Sequence, residues 1–249
     1  IIYSIPGLKV HAKVALVLKK KEKGKQIALA FLSTGNFNEK TARIYADHGL
    51  FTSDVRITKE LQDLFTFLEQ PGKKPGFKQL LVAQVNIKKG FNSMIDREIR
   101  NASAGKEARM ILKMNGLDHK KMIDRLYKAS LKGVKIDILV RGICCLVPGE
   151  KFSKNIRVIR LVDRYLEHAR VFYFHNEGKP EIYLASADIA RYAHLCGWTF
   201  PADKECPRND TARRVHIEQF LESFSAKEQE QFRANLWRVT QETKGLFSR

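Results

Sequence analysis

The chain has 249 residues, 44% of them apolar, enough for one large globular domain or two of ordinary size with a buried core. Its 45 Lys and Arg against 27 Asp and Glu leave a net charge of +18. That excess points to a polyanionic partner (nucleic acid, an anionic membrane, nucleotides or a phosphate polymer) or simply to a lysine-coated surface. No stretch of 18 apolar residues occurs, so no membrane span is expected. RNP1-like, helix-turn-helix and zinc-finger patterns are missing, so no specific nucleic-acid reader is expected.

In chain order, residues 8–18 predict a buried strand. The lysine-rich residues 19–25 predict a hairpin turn, with Gly24 free to take positive φ. Residues 27–32 are the returning strand. Residues 33–38 form a loop of small donors suited to an anion. Leu61, Leu64, Phe65 and Leu68 fall on one face of a helix over 58–68. Residues 71–76 read as a linker, which predicts two domains, 1–78 and 79–249. Beyond it, strands are predicted at 80–85, 108–114, 134–140 and 156–162, with helices at 91–104 and 120–131. This alternation predicts an α/β sheet with crossover connections and a ligand beyond its strand ends, near Lys113, Asn115 and Arg141. Residues 187–214 read as loop-rich, 215–220 as a strand and 225–240 as a helix.

Cysteine gives little direction. Cys144 and Cys145 are adjacent in an apolar run, Cys196 and Cys206 lie in a loop-like stretch, and no Cys-x-x-Cys occurs, so no zinc site is expected. Sparse cysteine fits a cytoplasmic location. The chain has no signal peptide and begins at Ile1, and it reads as part of a longer protein.

One unit occurs twice. Leu8-Lys9-Val10-His11-Ala12-Lys13 and Leu166-Glu167-His168-Ala169-Arg170 each give a histidine, a small residue and a cation. Each is followed by an apolar run, a polar turn, a second apolar run and a small-polar cluster: Ser33-Thr34-Gly35-Asn36 in the first, Ser186-Ala187-Asp188 in the second. Two such imidazoles brought together can divide phosphoryl transfer between nucleophile and proton donor. Lys13 and Arg170, two residues on, project from the same strand face as their histidines and would clamp the phosphate. The plainer alternative is that His11 and His168 cap strands and both cations are solvated. Arg141, followed by Gly142, suits a bidentate phosphate contact, or else a salt bridge at an interface. His48, His119, His175, His194 and His216 carry no supporting pattern.

The motifs also carry a resemblance. Residues 8–13 and 32–47, Lys113-Met114-Asn115, residues 140–146, Glu167-His168-Ala169-Arg170 and Ser186-Ala187-Asp188 closely resemble the polyphosphate kinase family of the long, phospholipase-D-like type, over nearly the whole chain. The resemblance implies an α/β fold of two phospholipase-D-like catalytic domains, the first truncated, with the active site between them. It implies reversible transfer of the terminal phosphate of ATP to inorganic polyphosphate, with magnesium. His11 would become phosphorylated, and His168 would be the second catalytic histidine. Tyr45 and Arg141 would contact ATP, with Lys13, Arg170, Asn36 and Lys113 as further phosphate-binding candidates. The family's magnesium-associated arginines lie upstream of Ile1, and the full-length protein is expected to be a homo-oligomer. The phospholipase D pattern has an Asp seven residues after its His. Leu18 and His175 stand there instead, which disfavours the rival reading as a phosphodiesterase or nuclease. A basic nucleic-acid-binding module is the non-enzymatic rival, resting on charge alone. Residues 115–120 are less acidic than the family pattern, and no residue beyond Asp188 is assigned a role.

Overall fold

The computed structural model describes residues 10–20, 26–70, 75–186 and 213–214, which form a mixed α/β structure. In the first half, β1 (Val14–Lys20) and β2 (Gln26–Ser33) pair as an antiparallel hairpin, from Val14 opposite Leu32 to Lys20 opposite Gln26. A strand unforeseen in the sequence, β4 (Gly49–Thr52), adds to the other side of β2. Before it come two short elements, α1 (Glu39–Ala42), capped by the Asn38 side chain, and β3 (Tyr45–Ala46). The predicted helix is α2 (Val55–Glu69), started by the Asp54 side chain accepting from the Arg56 N–H. Leu61 and Leu64 of α2 bury against Ala30, Val14, Leu16 and Leu32 on one face of the sheet. The expectation of a buried first strand is corrected. The strand begins at Val14, and Val17 and Leu18 are 58% and 43% exposed: Val17 lies on the face opposite Val14 and Leu16, which pack under α2, and Leu18 lies beyond that cluster towards the hairpin tip. Leu8 and the hairpin tip, residues 21–25, lie outside the described residues.

The second half is built on a sheet of six strands in the order β10-β9-β5-β6-β7-β11. Four are parallel: β5 (Arg109–Met114), β6 (Lys135–Val140), β7 (Ile156–Arg160) and the short β11 (Arg213–Arg214). The hairpin of β9 (Arg170–Phe174) and β10 (Glu181–Ala185) adds antiparallel to β5. Helices α3 (Ile87–Ser103) and α4 (Lys120–Leu131) cover one face. There Phe91 meets Phe172 edge-on at 4.9 Å, and fully burying a side chain such as Phe172 contributes roughly 1.5–3 kcal/mol. Gly133, at φ +96°, ends α4 where a side chain would be strained. Arg213–Arg214, expected in a loop, pair with β7 as β11, parallel to Ile159 and Arg160. The rest of the predicted loop, strand and helix beyond residue 186 lies outside the described residues, as does the linker at 71–74.

Two features join the halves. Residues 80–85, expected to be a strand, form a turn instead. Val82 O accepts from the N–H groups of Val85, Asn86 and Ile87, and Glu60 of α2 accepts from those of Lys78, Gln79 and Leu80 at 2.7 to 3.0 Å. With these donors taken, Leu80, Val82 and Val85 have no ladder to join, and they pack onto the Leu61–Leu64 cluster. The second joint is β8 (Leu166–Glu167), which pairs in parallel with β3: Tyr45 opposite Leu166, Ala46 opposite Glu167.

Candidate active site

The β3–β8 pairing brings the two repeated units together. Just past it, the N–H groups of His168 and Ala169 both donate to Ala46 O, at 3.2 and 3.1 Å. The next residue after β3 is Asp47, whose Oδ1 lies 2.8 Å from His168 Nδ1. The same Oδ1 accepts from Thr34 Oγ1 at 2.7 Å. Thr34 is fixed in turn, since its Oγ1 accepts from the His48 N–H at 2.9 Å and its own N–H donates to His48 O. Gly35 makes room for the carboxylate: a Cβ there would stand 2.6 Å from Asp47 Cγ. The Tyr45 ring lies 4.9 Å from the His168 ring, tilted by 48°.

The cations of the two units fold back alike. Lys13 Nζ donates to the carbonyl of His11 at 3.0 Å, and Arg170 Nη1 to the carbonyl of His168 at 2.7 Å. Lys13 is 8% exposed and Arg170 4%, so neither is the solvated cation of the plainer alternative. Lys13 Nζ also lies 2.8 and 3.1 Å from the two ring nitrogens of His11. An ammonium donating to one of them needs a lone pair there, which a neutral imidazole supplies and an imidazolium does not. From the other half, Ser186 Oγ donates to the same His11 carbonyl at 2.9 Å.

Lys113 is buried behind His168. Its Nζ donates to Ala169 O at 2.8 Å and lies 3.1 Å from Glu167 Oε2. It therefore brackets the histidine from both sides instead of reaching into solvent. Burial pushes the Lys113 ammonium below its ordinary pKa, and Glu167 opposes that shift. Burial also lowers the His168 imidazole. Asp47 pulls it back up, while Arg170 and Lys13 add to the lowering. His48, which the sequence left without a role, is likewise lowered by burial and then by Lys113, against Asp47. These mutual influences place His11's own cation, both halves' acids and His168 in one electrostatic neighbourhood.

The remaining candidates are placed by their elements. Arg141 follows β6 on the sheet edge where β5 ends and β9 begins, since Met114 lies opposite Val140 and Lys113 opposite Val171. Gly142 donates to Asn115 O at 2.6 Å, a close approach in which a Cβ would meet that oxygen at 3.0 Å. Asn36 is exposed in the loop after β2, beside Gly35. His119 caps α4, its Nδ1 accepting from the Met122 N–H. Sequence reasoning gave no role to Asp47, Thr34 or Glu167. The available signals were a lone acid at the end of a polar stretch, and an acid directly before the second histidine.

A family model described as polyphosphate kinase C-terminal domain 1 matches residues 1–74, and one described as polyphosphate kinase C-terminal domain 2 matches residues 80–193. The chain belongs to the polyphosphate kinase family. It is 49% identical over 189 residues to the polyphosphate kinase of Escherichia coli K12 and 48% identical to that of Klebsiella pneumoniae, covering 76% of this chain and 27% of each relative. A crystal structure of polyphosphate kinase from Porphyromonas gingivalis superposes with a TM-score of 0.70 at 52% identity, over 75% of this chain and 29% of that one. The chain thus spans little more than a quarter of the length of these polyphosphate kinases.

Proposed function

We propose that the chain carries the catalytic histidines of a polyphosphate kinase, which moves the terminal phosphate of ATP to inorganic polyphosphate and back. The observation that carries this reading is the meeting of the two histidine units: Asp47 of the first half on His168, and Ser186 of the second on His11. In this reading the two halves are phospholipase-D-like domains, divided near residue 78, with the site between them.

A ring nitrogen of His11 attacks the terminal phosphorus, and the P–O bond to ADP breaks as the P–N bond forms. In the second step a terminal oxygen of polyphosphate attacks the same phosphorus, and the P–N bond breaks. ADP leaves as a stable anion and His11 leaves as the neutral imidazole, so His168 serves to share a proton with the departing or attacking oxygen and to steady its charge. Lys13 and Arg170 place positive charge beside the carbonyls of the two histidines, where it opposes charge building on the transferring group. Tyr45, packed on His168, and Arg141, at the sheet edge, contact the nucleotide. Asn36 offers a donor from the loop after β2. The buried Lys113 acts through the backbone beside His168, at the Ala169 carbonyl. Magnesium supplies charge neutralisation on the nucleotide's phosphates, an ion that takes few protein ligands in such sites. Among the described residues no group of three or more His, Cys, Asp or Glu is placed to hold a metal. No described helix is long and apolar enough to cross a membrane, and the enzyme is proposed to work in the cytoplasm as a homo-oligomer.

Elongation of polyphosphate by the full-length protein with ATP tests this reading. ATP-dependent chain growth that disappears in His11→Ala is the expected result. Phosphodiester cleavage without ATP would support a phospholipase-D-like nuclease, and salt-sensitive nucleic-acid binding without turnover a basic binding module.

A further inference from the structure

We infer that Glu60 is a positioning residue for phosphate transfer: its carboxylate, by gathering the N–H groups that open the turn between the halves, sets the angle at which the halves meet and so brings His11 and His168 to one phosphate. The inference rests on the proposed transfer between these histidines, and it adds a side chain of α2 that has been given no part in it.

The halves are linked in series through this turn. Glu60 lies on α2, in the first half. Its Oε1 accepts from the Lys78 and Gln79 N–H groups at 2.7 and 3.0 Å, and its Oε2 from those of Gln79 and Leu80 at 2.9 and 2.8 Å. Three successive N–H groups thus converge on one carboxylate, which is how a backbone holds an anion. Bonds to an ionised acceptor are roughly twice as strong as neutral ones. The other end of the turn belongs to the second half. Asn86, the residue before α3, accepts from the Val82 N–H at 2.7 Å, and its Nδ2 donates to Phe77 O and Leu80 O at 3.1 and 2.9 Å. The second half therefore holds the turn through Asn86, and the turn is held to the first half through Glu60. Apolar contacts divide in the same way. Phe77, Leu80, Val82 and Val85 pack with Leu61 and Leu64, while Leu81 packs on the second core, over Gly90 of α3, where a Cβ would stand 2.7 Å from Leu81 Cδ2. Such packing is non-directional, whereas the bonds to the carboxylate fix an orientation. The orientation matters because at the site the halves meet through β3 and β8, which pair over two residues each. A ladder that short acts as a pivot, and a second attachment through α2 removes the rotation about it. A reacting group displaced by about 1 Å costs about 10²-fold in rate.

The test is the relative orientation of the halves, read from residual dipolar couplings of the 15N-labelled chain in an aligned medium without substrate. In the wild type, one alignment tensor is expected to fit the amides of β1, β2, β4 and α2 together with those of α3, α4, β5 and β6. In Glu60→Ala each set should keep its own fold but need its own tensor, the mark of halves that move against each other. Glu60→Gln keeps one acceptor oxygen and should fall between. Chemical shifts that match the wild type away from the turn show that a variant is folded, and loss of fold in Glu60→Ala leaves Glu60→Gln to carry the test. In the full-length enzyme, Glu60→Ala should lower transfer from ATP to polyphosphate by about 10²-fold, and Glu60→Gln by less. Separate tensors in the wild type, one tensor fitting both halves in the variants, or separated tensors with undiminished transfer would each overturn the inference. A wild type with one tensor and no transfer would instead contradict the polyphosphate kinase reading, so the two failures are told apart.

Discussion

The hydroxyl of Ser186 donates to the carbonyl oxygen of His11 at 2.9 Å, between residues 175 positions apart in the chain. Lys13 Nζ donates to the same oxygen from within the first unit. The backbone of the proposed phosphate carrier is therefore held by one group from each half. Ser186→Ala removes the crossing bond, and a typical hydrogen bond contributes about 1 kcal/mol net. A loss of about that size in urea unfolding is expected, together with slower phosphorylation of His11. Unchanged stability and unchanged phosphorylation would show that the contact does not hold the histidine.

The Lys113–Glu167 pair predicts a stronger effect. Both side chains are buried, 6% and 4% exposed, and Nζ lies 3.1 Å from Oε2. Removing one partner strands a charge in the interior, which costs about 3–5 kcal/mol, whereas replacing both with apolar groups of similar volume is often neutral or better. Glu167→Ala is therefore expected to destabilise the fold severely in urea, and the double variant Lys113→Met, Glu167→Leu to recover most of the loss. A double variant as unstable as the single one would mean that the Lys113 bond to Ala169 O, and not the ion pair, is what the site depends on.

The two buried histidines predict a pH dependence of stability. His48 and His168 are both held below the ordinary imidazole value of 6.5, with burial as the leading cause. In the unfolded chain they take up protons as the pH falls through 6.5, while in the fold they resist until lower pH. The unfolded state then binds more protons, so stability drops as the pH falls below 6.5. Urea midpoints at pH 7.5 and pH 5.5 should show that drop, and His168→Gln should reduce it. An equal drop in the variant would assign the effect to other groups.

The sequence pattern revealed more of the fold than of the site. Elements α2, α3, α4, β5 and β6 announce themselves because their apolar periodicity is long and their ends carry stop signals such as Gly105 and Gly133. The short β3 and β8 do not, since two residues carry no period and their pairing spans the chain. Residues 80–85 misled because an apolar run reads as a strand whichever core it joins. Here the Glu60 and Asn86 side chains take the backbone groups that a strand would offer. The histidine repeat was legible because it occurs twice. Asp47 was not, because its contact with His168 spans 121 positions, which spacing along one segment cannot report.

In the proposed chemistry His11 carries the phosphate and His168, in contact with Asp47 of the opposite half, assists it. The most direct measurement is incubation of the full-length protein with ATP labelled in its terminal phosphate, followed by mapping of the labelled residue. The expected result is an acid-labile label on His11, chased into polyphosphate, absent in His11→Ala and slow to form in His168→Ala. Label that persists in His11→Ala with polyphosphate still growing would contradict it.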